Sequence, residues 1–281
     1  MRIYTIQFVT GLPYKISATI LGVVATIYVT LGGMRGTTIT QCIQALLMMV
    51  GVIIPLGVIL AKFGGFTQMV TAVYEVKPAF WSPFGTSGLT YSICFAIVMG
   101  FGFLGLPHIL MRFFASRDDV VAKRTGIING IFNAIFYFIV FLIPTYAIVN
   151  NFIPKNADMV YYVTVGKLFN PFITGFFLAC ALSAILSTVS GQMLAGSSAI
   201  AYDLYSEIVK RNTDEKRQVF ALKFGCVIMG IASTLTALFP FEGILLIMST
   251  AMALVAGCLA APLLLGIWCK NANDTGAFGV C

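Results

Sequence analysis

Residues 180–198 read CALSAILSTVSGQMLAGSS, a stretch apolar enough for a membrane yet rich in small and hydroxyl side chains. Ala184, Ser187, Thr188 and Gly191 are spaced i, i+3, i+4 and i+7, which places them on one face of a helix. Such a face can pack closely against another backbone, or it can offer oxygen atoms to a small cation. Taken alone the stretch favours packing, because Ser and Thr in membrane helices often donate to the carbonyl four residues earlier, the spacing of Thr188 and Ala184.

The composition indicates an all-α polytopic membrane protein. Hydrophobic residues make up 59% of the 281 residues and charged residues only 10%. Soluble domains carry about a quarter charged residues, and apolar blocks of about 20 residues are long enough to span a bilayer as helices. The net charge of +7 comes from basic residues in short loops, as the positive-inside rule predicts, so nucleic acid is not an expected partner.

Seven apolar segments are predicted to span the membrane. They run from about 16–33, 38–61, 89–114, 126–149, 171–202, 219–238 and 243–269. The connection 62–88 is expected to be a polar loop at the membrane interface, and 150–170 a second loop.

The distribution of Lys and Arg predicts the orientation in the plasma membrane. One set of connections carries about twice as many basic residues as the other, and it includes 112–124 and 203–217. These two loops are therefore expected to face the cytoplasm.

The third segment, which contains MGFGFLGLPHILMRFF, is not expected to be a continuous helix. Gly100, Gly102, Gly105 and Pro107 lie close together at membrane depth, and the proline ring clashes with the carbonyl of Phe103. Irregular backbone inside a bilayer must be buried by protein or line a wet cavity, and in transporters such breaks hold substrates and ions. A proline kink with glycines for close packing is the alternative.

Oxygen atoms on the fifth segment are the candidate ligands for a hard cation. The Ser187 and Thr188 hydroxyls and the Ala184 carbonyl would supply three, and sodium would need about two more from another helix. No acidic residue is predicted at mid-membrane, which argues against a carboxylate proton relay. No nucleophile or acid–base cluster lies in a span, so an enzyme is not expected.

Four stretches are similar to the sodium/solute symporter family, in the order in which that family carries them. They are residues 31–48 (LGGMRGTTITQCIQALLM), 105–114 (GLPHILMRFF), 186–205 (LSTVSGQMLAGSSAIAYDLY) and 261–268 (APLLLGIW). The resemblance covers most of the chain. It implies the inverted-repeat bundle of the leucine-transporter type and coupling of sodium influx to solute uptake.

The resemblance also implies a cation site and the extent of the domain. The sodium motif of the family matches Ala184 through its carbonyl and Ser187 and Thr188 through their hydroxyls, with sodium as the co-transported ion. The other ligands belong to a broken N-terminal helix, so residues 1–281 are expected to be a partial transport domain that lacks the first and the C-terminal helices.

The substrate implied by the resemblance is a small organic anion, bound near Met99, Gly102, Phe103 and Pro107. The sodium/proline branch carries a Trp and a Tyr at the first and third of these positions, which disfavours proline here. GLPHILMRFF resembles acetate and monocarboxylate permeases, and other parts resemble pantothenate transporters. A proline-type symporter, a membrane sensor and a channel remain alternatives. The expected partners are the solute and the lipid bilayer, with no obligate protein partner.

Overall fold

The computed structural model describes residues 12–82, 84, 88–154, 156–209, 215–239, 244–270, 273, 276 and 279. Every regular element within these residues is helical. The α-helices are α1 (Tyr14–Phe63), α2 (Phe66–Val76), α3 (Gly88–Leu104), α4 (Pro107–Phe114), α5 (Asp119–Leu142), α6 (Pro144–Val149), α7 (Val160–Leu168), α8 (Pro171–Ser198), α9 (Glu215–Leu238), α10 (Ile244–Val255) and α11 (Ala261–Trp268). Short 3₁₀ turns occupy Pro78–Trp81 and Ala157–Met159, and π-helical segments occupy Ala199–Val209 and Ala256–Ala260.

The long apolar helices account for the predicted spans. Five stretches are long and apolar enough to cross a membrane, and α3 with α4 forms a sixth that is bent by 42°. The first of these, α1, has 50 residues and is interrupted at Gly33, where φ is 53° and ψ is −155°. Because about 20 helical residues cross a bilayer, the 50 residues of α1 are long enough for one span on each side of this glycine, as the first two predicted segments require.

The predicted break in the third segment is confirmed. The chain leaves helical geometry after Leu104 and resumes it at Pro107, the first residue of α4. Pro107 has no N–H to donate to Phe103, and its fixed φ suits the first turn of a new helix.

The prediction that residues 62–88 and 150–170 are loops is wrong in part, since each contains a helix. In α2 the side chains of Met69 and Val73, one turn apart, are fully buried, and in α7 Thr164 and Val165 are fully buried. These helices have 11 and 9 residues, too short to cross the membrane. Tertiary contacts on one face, rather than propensity, stabilise helices of this length.

The chain divides into two compact units. The first comprises residues 1–76 and 127–240, and in it α8 packs on α1 while α9 packs on both. Its buried core includes Ala25 and Val29 of α1, Met193 of α8 and Cys226 of α9. The second unit comprises residues 77–126 and 241–281, and in it α3 packs on α10 and on the π-helical segment that follows.

Candidate functional site

Local sequence signals fix where α8 begins. The side-chain oxygen of Asn170 accepts a hydrogen bond from the Ile173 N–H at 2.9 Å, and Pro171 occupies the first helical position. An Asn cap followed by proline is a favoured helix start. The helix then continues to Ser198 and buries Ser183, Ser190 and Met193.

Three oxygen atoms of α8 converge at one turn. The Ser187 hydroxyl donates to the Ala184 carbonyl at 2.8 Å, and the Thr188 hydroxyl donates to the same carbonyl at 3.2 Å. Ser187 is half-buried, whereas Thr188 is exposed. The back-bonding that the spacing of Thr188 and Ala184 predicts is therefore present. Each hydroxyl oxygen still has lone pairs, so these oxygens have the chemistry that a hard cation requires of its ligands, and their role as ligands stays a prediction.

Helix α1 makes hydrogen bonds to the same turn of α8. The Gln41 side-chain Nε2 donates to the Ser187 carbonyl at 2.8 Å and to the Ser190 hydroxyl at 2.9 Å. The Tyr28 hydroxyl donates to the Leu186 carbonyl at 3.0 Å. Sequence reasoning missed Gln41 and Tyr28. The available signal was a glutamine inside an apolar span, where a polar side chain needs a partner within the protein.

Gly102 of α3 and Gly105 of the break serve close packing within the second unit. A Cβ atom on Gly102 would lie 2.8 Å from Met252 Cβ and 2.9 Å from the Met252 carbonyl oxygen. One on Gly105 would lie 2.9 Å from the Ala260 nitrogen and 3.1 Å from Val255. Since real Cβ atoms essentially never approach within 3.0 Å, α10 and the π-helical segment can sit this close only because both positions are glycine.

The break between α3 and α4 alters the backbone hydrogen bonds. The Leu106 N–H donates to the Phe103 carbonyl at 3.4 Å rather than to Gly102, four residues earlier. Helix α4 begins at Pro107 without a side-chain cap. At the break the Gly102 carbonyl therefore lies outside the regular helical hydrogen-bond pattern. The N-terminus of α4, which is the positive end of its dipole, begins at Pro107.

The predicted residues fall into two groups. Ala184, Ser187 and Thr188 lie in the first unit, and their oxygen atoms are brought together. The other four lie in the second unit, where Met99 and Phe103 share a face of α3, Gly102 is buried and Pro107 is exposed.

The described residues contain no group of three His, Cys, Asp or Glu side chains that could hold a metal. Positions 210–214, inside the loop predicted to be cytoplasmic, lie outside the described residues.

Comparisons with known proteins agree on the family and the fold. A model of the sodium:solute symporter family matches residues 4–280. The chain is also similar in structure to a solved sodium-coupled sialic acid symporter in a substrate-bound, outward-open state, with a TM-score of 0.79 and 21% sequence identity. The match covers 99% of this chain and 60% of that one. The predicted fold class, a polytopic all-α membrane protein with part of a leucine-transporter-type bundle, is confirmed.

Proposed function

This chain belongs to the sodium:solute symporter family, and we therefore propose that the protein imports a small organic anion together with sodium. The proposed activity is transport and not catalysis. The observation that carries the coupling is the convergence of the Ser187 and Thr188 hydroxyls on the Ala184 carbonyl, at 2.8 and 3.2 Å.

The chemistry of these three oxygens favours sodium over a proton as the coupling ion. Hydroxyl and backbone carbonyl groups do not take up or release protons near neutral pH, so they cannot carry a proton through the cycle. They are suitable neutral ligands for a hard cation, which would need about two further oxygens. The exposed Thr188 hydroxyl leaves a side of the cluster from which such ligands can approach.

For the substrate site we propose the break in the third span, with Met99, Gly102, Phe103 and Pro107 as its residues. The N-terminus of α4 at Pro107 favours a negative group such as a carboxylate. Met99 and Phe103, one turn apart, offer an apolar face to a short carbon chain. A small monocarboxylate combines these two features.

Alternating access would couple the two solutes. Sodium bound at α8 stabilises the state that is ready for substrate, and the coupling free energy is its preference for that state over the others. We place the protein in the plasma membrane with the basic loops 112–124 and 203–217 in the cytoplasm.

The test is uptake of labelled acetate, pyruvate, pantothenate and proline by cells that express the full-length protein, with sodium or with choline in the medium. The expected result is saturable, sodium-dependent uptake of an organic anion. Uptake that is equal in sodium and choline would contradict the coupling. Sodium-dependent uptake of proline alone would replace the organic anion with an amino acid.

A further inference from the structure

A cavity of about 240 Å³ lies within the first unit, beside the turn of α8 that carries Ala184. Its wall is mainly apolar and includes Met48 of α1 with Phe136 and Val140 of α5. Asp158 and Tyr161 are among the polar residues that line it. At the volume that water occupies in the liquid, this space has room for about eight molecules.

The backbone fixes the position of Asp158 at the start of α7. This residue lies in the 3₁₀ turn Ala157–Met159, and its N–H donates to the side-chain oxygen of Asn156 at 3.0 Å. Its carboxylate oxygen Oδ2 is buried and has no hydrogen-bond partner. A carboxylate oxygen withdrawn from water without a partner costs free energy unless a proton or a cation compensates it.

The neighbouring phenol does not supply that compensation. The Tyr161 hydroxyl donates to the Gly51 carbonyl of α1 at 2.7 Å. Burial raises the pKa of Tyr161 above its usual range, so the phenol stays neutral. Among the residues that line the cavity Asp158 is the acidic one, and its carboxylate makes the cavity electronegative.

The same cavity reaches one of the candidate cation ligands, Ala184. Ala184 and Met48 both line it. The Met48 sulfur lies 3.9 Å from the Ser187 hydroxyl, which in turn donates to the Ala184 carbonyl. Asp158 and Ala184 thus line one continuous space, and Ser187 adjoins it through its contact with Met48. An anionic substrate would be repelled by this carboxylate, whereas a monovalent cation would be attracted.

We propose that this cavity is a cation vestibule, in which the Asp158 carboxylate binds a partly hydrated sodium ion in the space that Ala184 also lines. The inference rests on the proposed sodium-coupled function and adds a binding step and a residue to it. A fixed negative charge in a cleft with apolar walls concentrates the oppositely charged ion. Sodium then reaches α8 from a local concentration above that of the bulk solution.

The test compares two carboxylates in the full-length protein. Asp158→Asn removes the charge in the cavity, Asp158→Glu retains it, and Glu75→Gln removes an exposed charge on α2 outside the cavity. The sodium concentration for half-maximal uptake should rise about three- to tenfold in Asp158→Asn, with little change in the maximal rate. It should stay within about twofold of wild type in the other two variants.

Wild-type sodium dependence in Asp158→Asn, or an equal change in Glu75→Gln, would overturn the vestibule while leaving the proposed function intact. Failure of the proposed function would look different, since wild-type uptake itself would not depend on sodium. Binding of radioactive sodium to purified protein supplies a readout besides uptake. If Asp158→Asn does not fold, Asp158→Ser, which is also neutral, decides by the same criterion.

Discussion

The side-chain amide of Gln41 donates to the backbone carbonyl of Ser187, with 2.8 Å between Nε2 and the carbonyl oxygen. The same nitrogen lies 2.9 Å from the Ser190 hydroxyl. One amide of α1 thus bonds two groups on the turn of α8 that carries the proposed sodium ligands. Gln41 is a positioning residue in this arrangement, because it acts through Ser187.

Replacing Gln41 by Leu should therefore weaken sodium binding without removing a ligand. The Ser187 carbonyl and the Ser190 hydroxyl each lose one donor but keep their bond to each other at 3.0 Å, so each lost hydrogen bond costs about 0.5–1.5 kcal/mol. We expect a lower melting temperature and a severalfold higher half-saturating sodium concentration. Gln192→Leu is the control, since Gln192 is exposed on α8, the helix that carries Ser187 and Ser190. Equal sodium dependence in the Gln41 and Gln192 variants would refute the positioning role.

Ser187→Ala and Thr188→Ala should each raise the half-saturating sodium concentration about tenfold, which corresponds to the loss of about 1.4 kcal/mol of binding free energy. Ser183→Ala is a matched control, because the Ser183 hydroxyl also donates to a carbonyl of α8, that of Ala179, at 3.0 Å. All three substitutions remove a back-bond, but only two remove a proposed ligand. A similar sodium dependence in all three would mean that these hydroxyls serve the helix alone.

The parts of the fold that follow from local chemistry were predictable from the sequence. Apolar blocks define the spans, and Pro107 defines the break because the missing N–H and the ring act on neighbouring residues. The helices Phe66–Val76 and Val160–Leu168 were missed, since their stability depends on burial of Met69, Val73 and Val165 in tertiary contacts. A pattern within such short segments does not reveal the surface on which they pack.

The candidate cation site likewise has a part that local sequence predicts and a part that depends on tertiary packing. The spacing of Ala184, Ser187 and Thr188 places them on one face of a helix, and the structure has their oxygens together. The hydrogen bonds from Gln41 connect positions 146 and 149 residues apart, which no local pattern encodes. The cavity that joins Asp158 to Ala184 likewise depends on how α7 packs, so it could not be read from the chain.

Gly102→Ala distinguishes the two roles considered for the break. The added Cβ would lie 2.8 Å from Met252 Cβ and 2.9 Å from the Met252 carbonyl oxygen, so α3 and α10 must separate. We expect a lower melting temperature and reduced uptake. Gly100→Ala is the control and should not lower the melting temperature, because a Cβ there meets nothing within 4 Å. Alanine also has a helix propensity more favourable than that of glycine by about 1 kcal/mol.

Shortening the partner side chain to alanine should not rescue Gly102→Ala. The double variant Gly102→Ala with Met252→Ala loses only the contact with the sulfur at 3.0 Å, because alanine keeps the Cβ at 2.8 Å and the carbonyl oxygen at 2.9 Å, so the melting temperature should stay low. A wild-type melting temperature with lost uptake in Gly102→Ala would instead assign the glycine to substrate binding.

Two glycine–threonine contacts join α1 to α9 in the first unit. Gly22 faces Thr234, and Gly230 faces Thr26; a Cβ on either glycine would overlap the threonine hydroxyl opposite. Each threonine donates to the glycine carbonyl four residues earlier on its own helix, at 2.7 Å in both cases. The hydroxyls are thereby held in place and cannot turn away from an added methyl group without losing that bond.

Gly22→Ala should consequently destabilise the protein by about 1–3 kcal/mol, the usual cost of overpacking. Thr234→Ala in the same chain should offset most of this loss, and the two changes should be strongly non-additive because the residues are in contact. Gly57→Ala, also in α1 but with open space around it, should leave stability unchanged or slightly higher. Thermal melting of the four variants in detergent measures the coupling, and additive effects of Gly22→Ala and Thr234→Ala would rule out the close contact between α1 and α9.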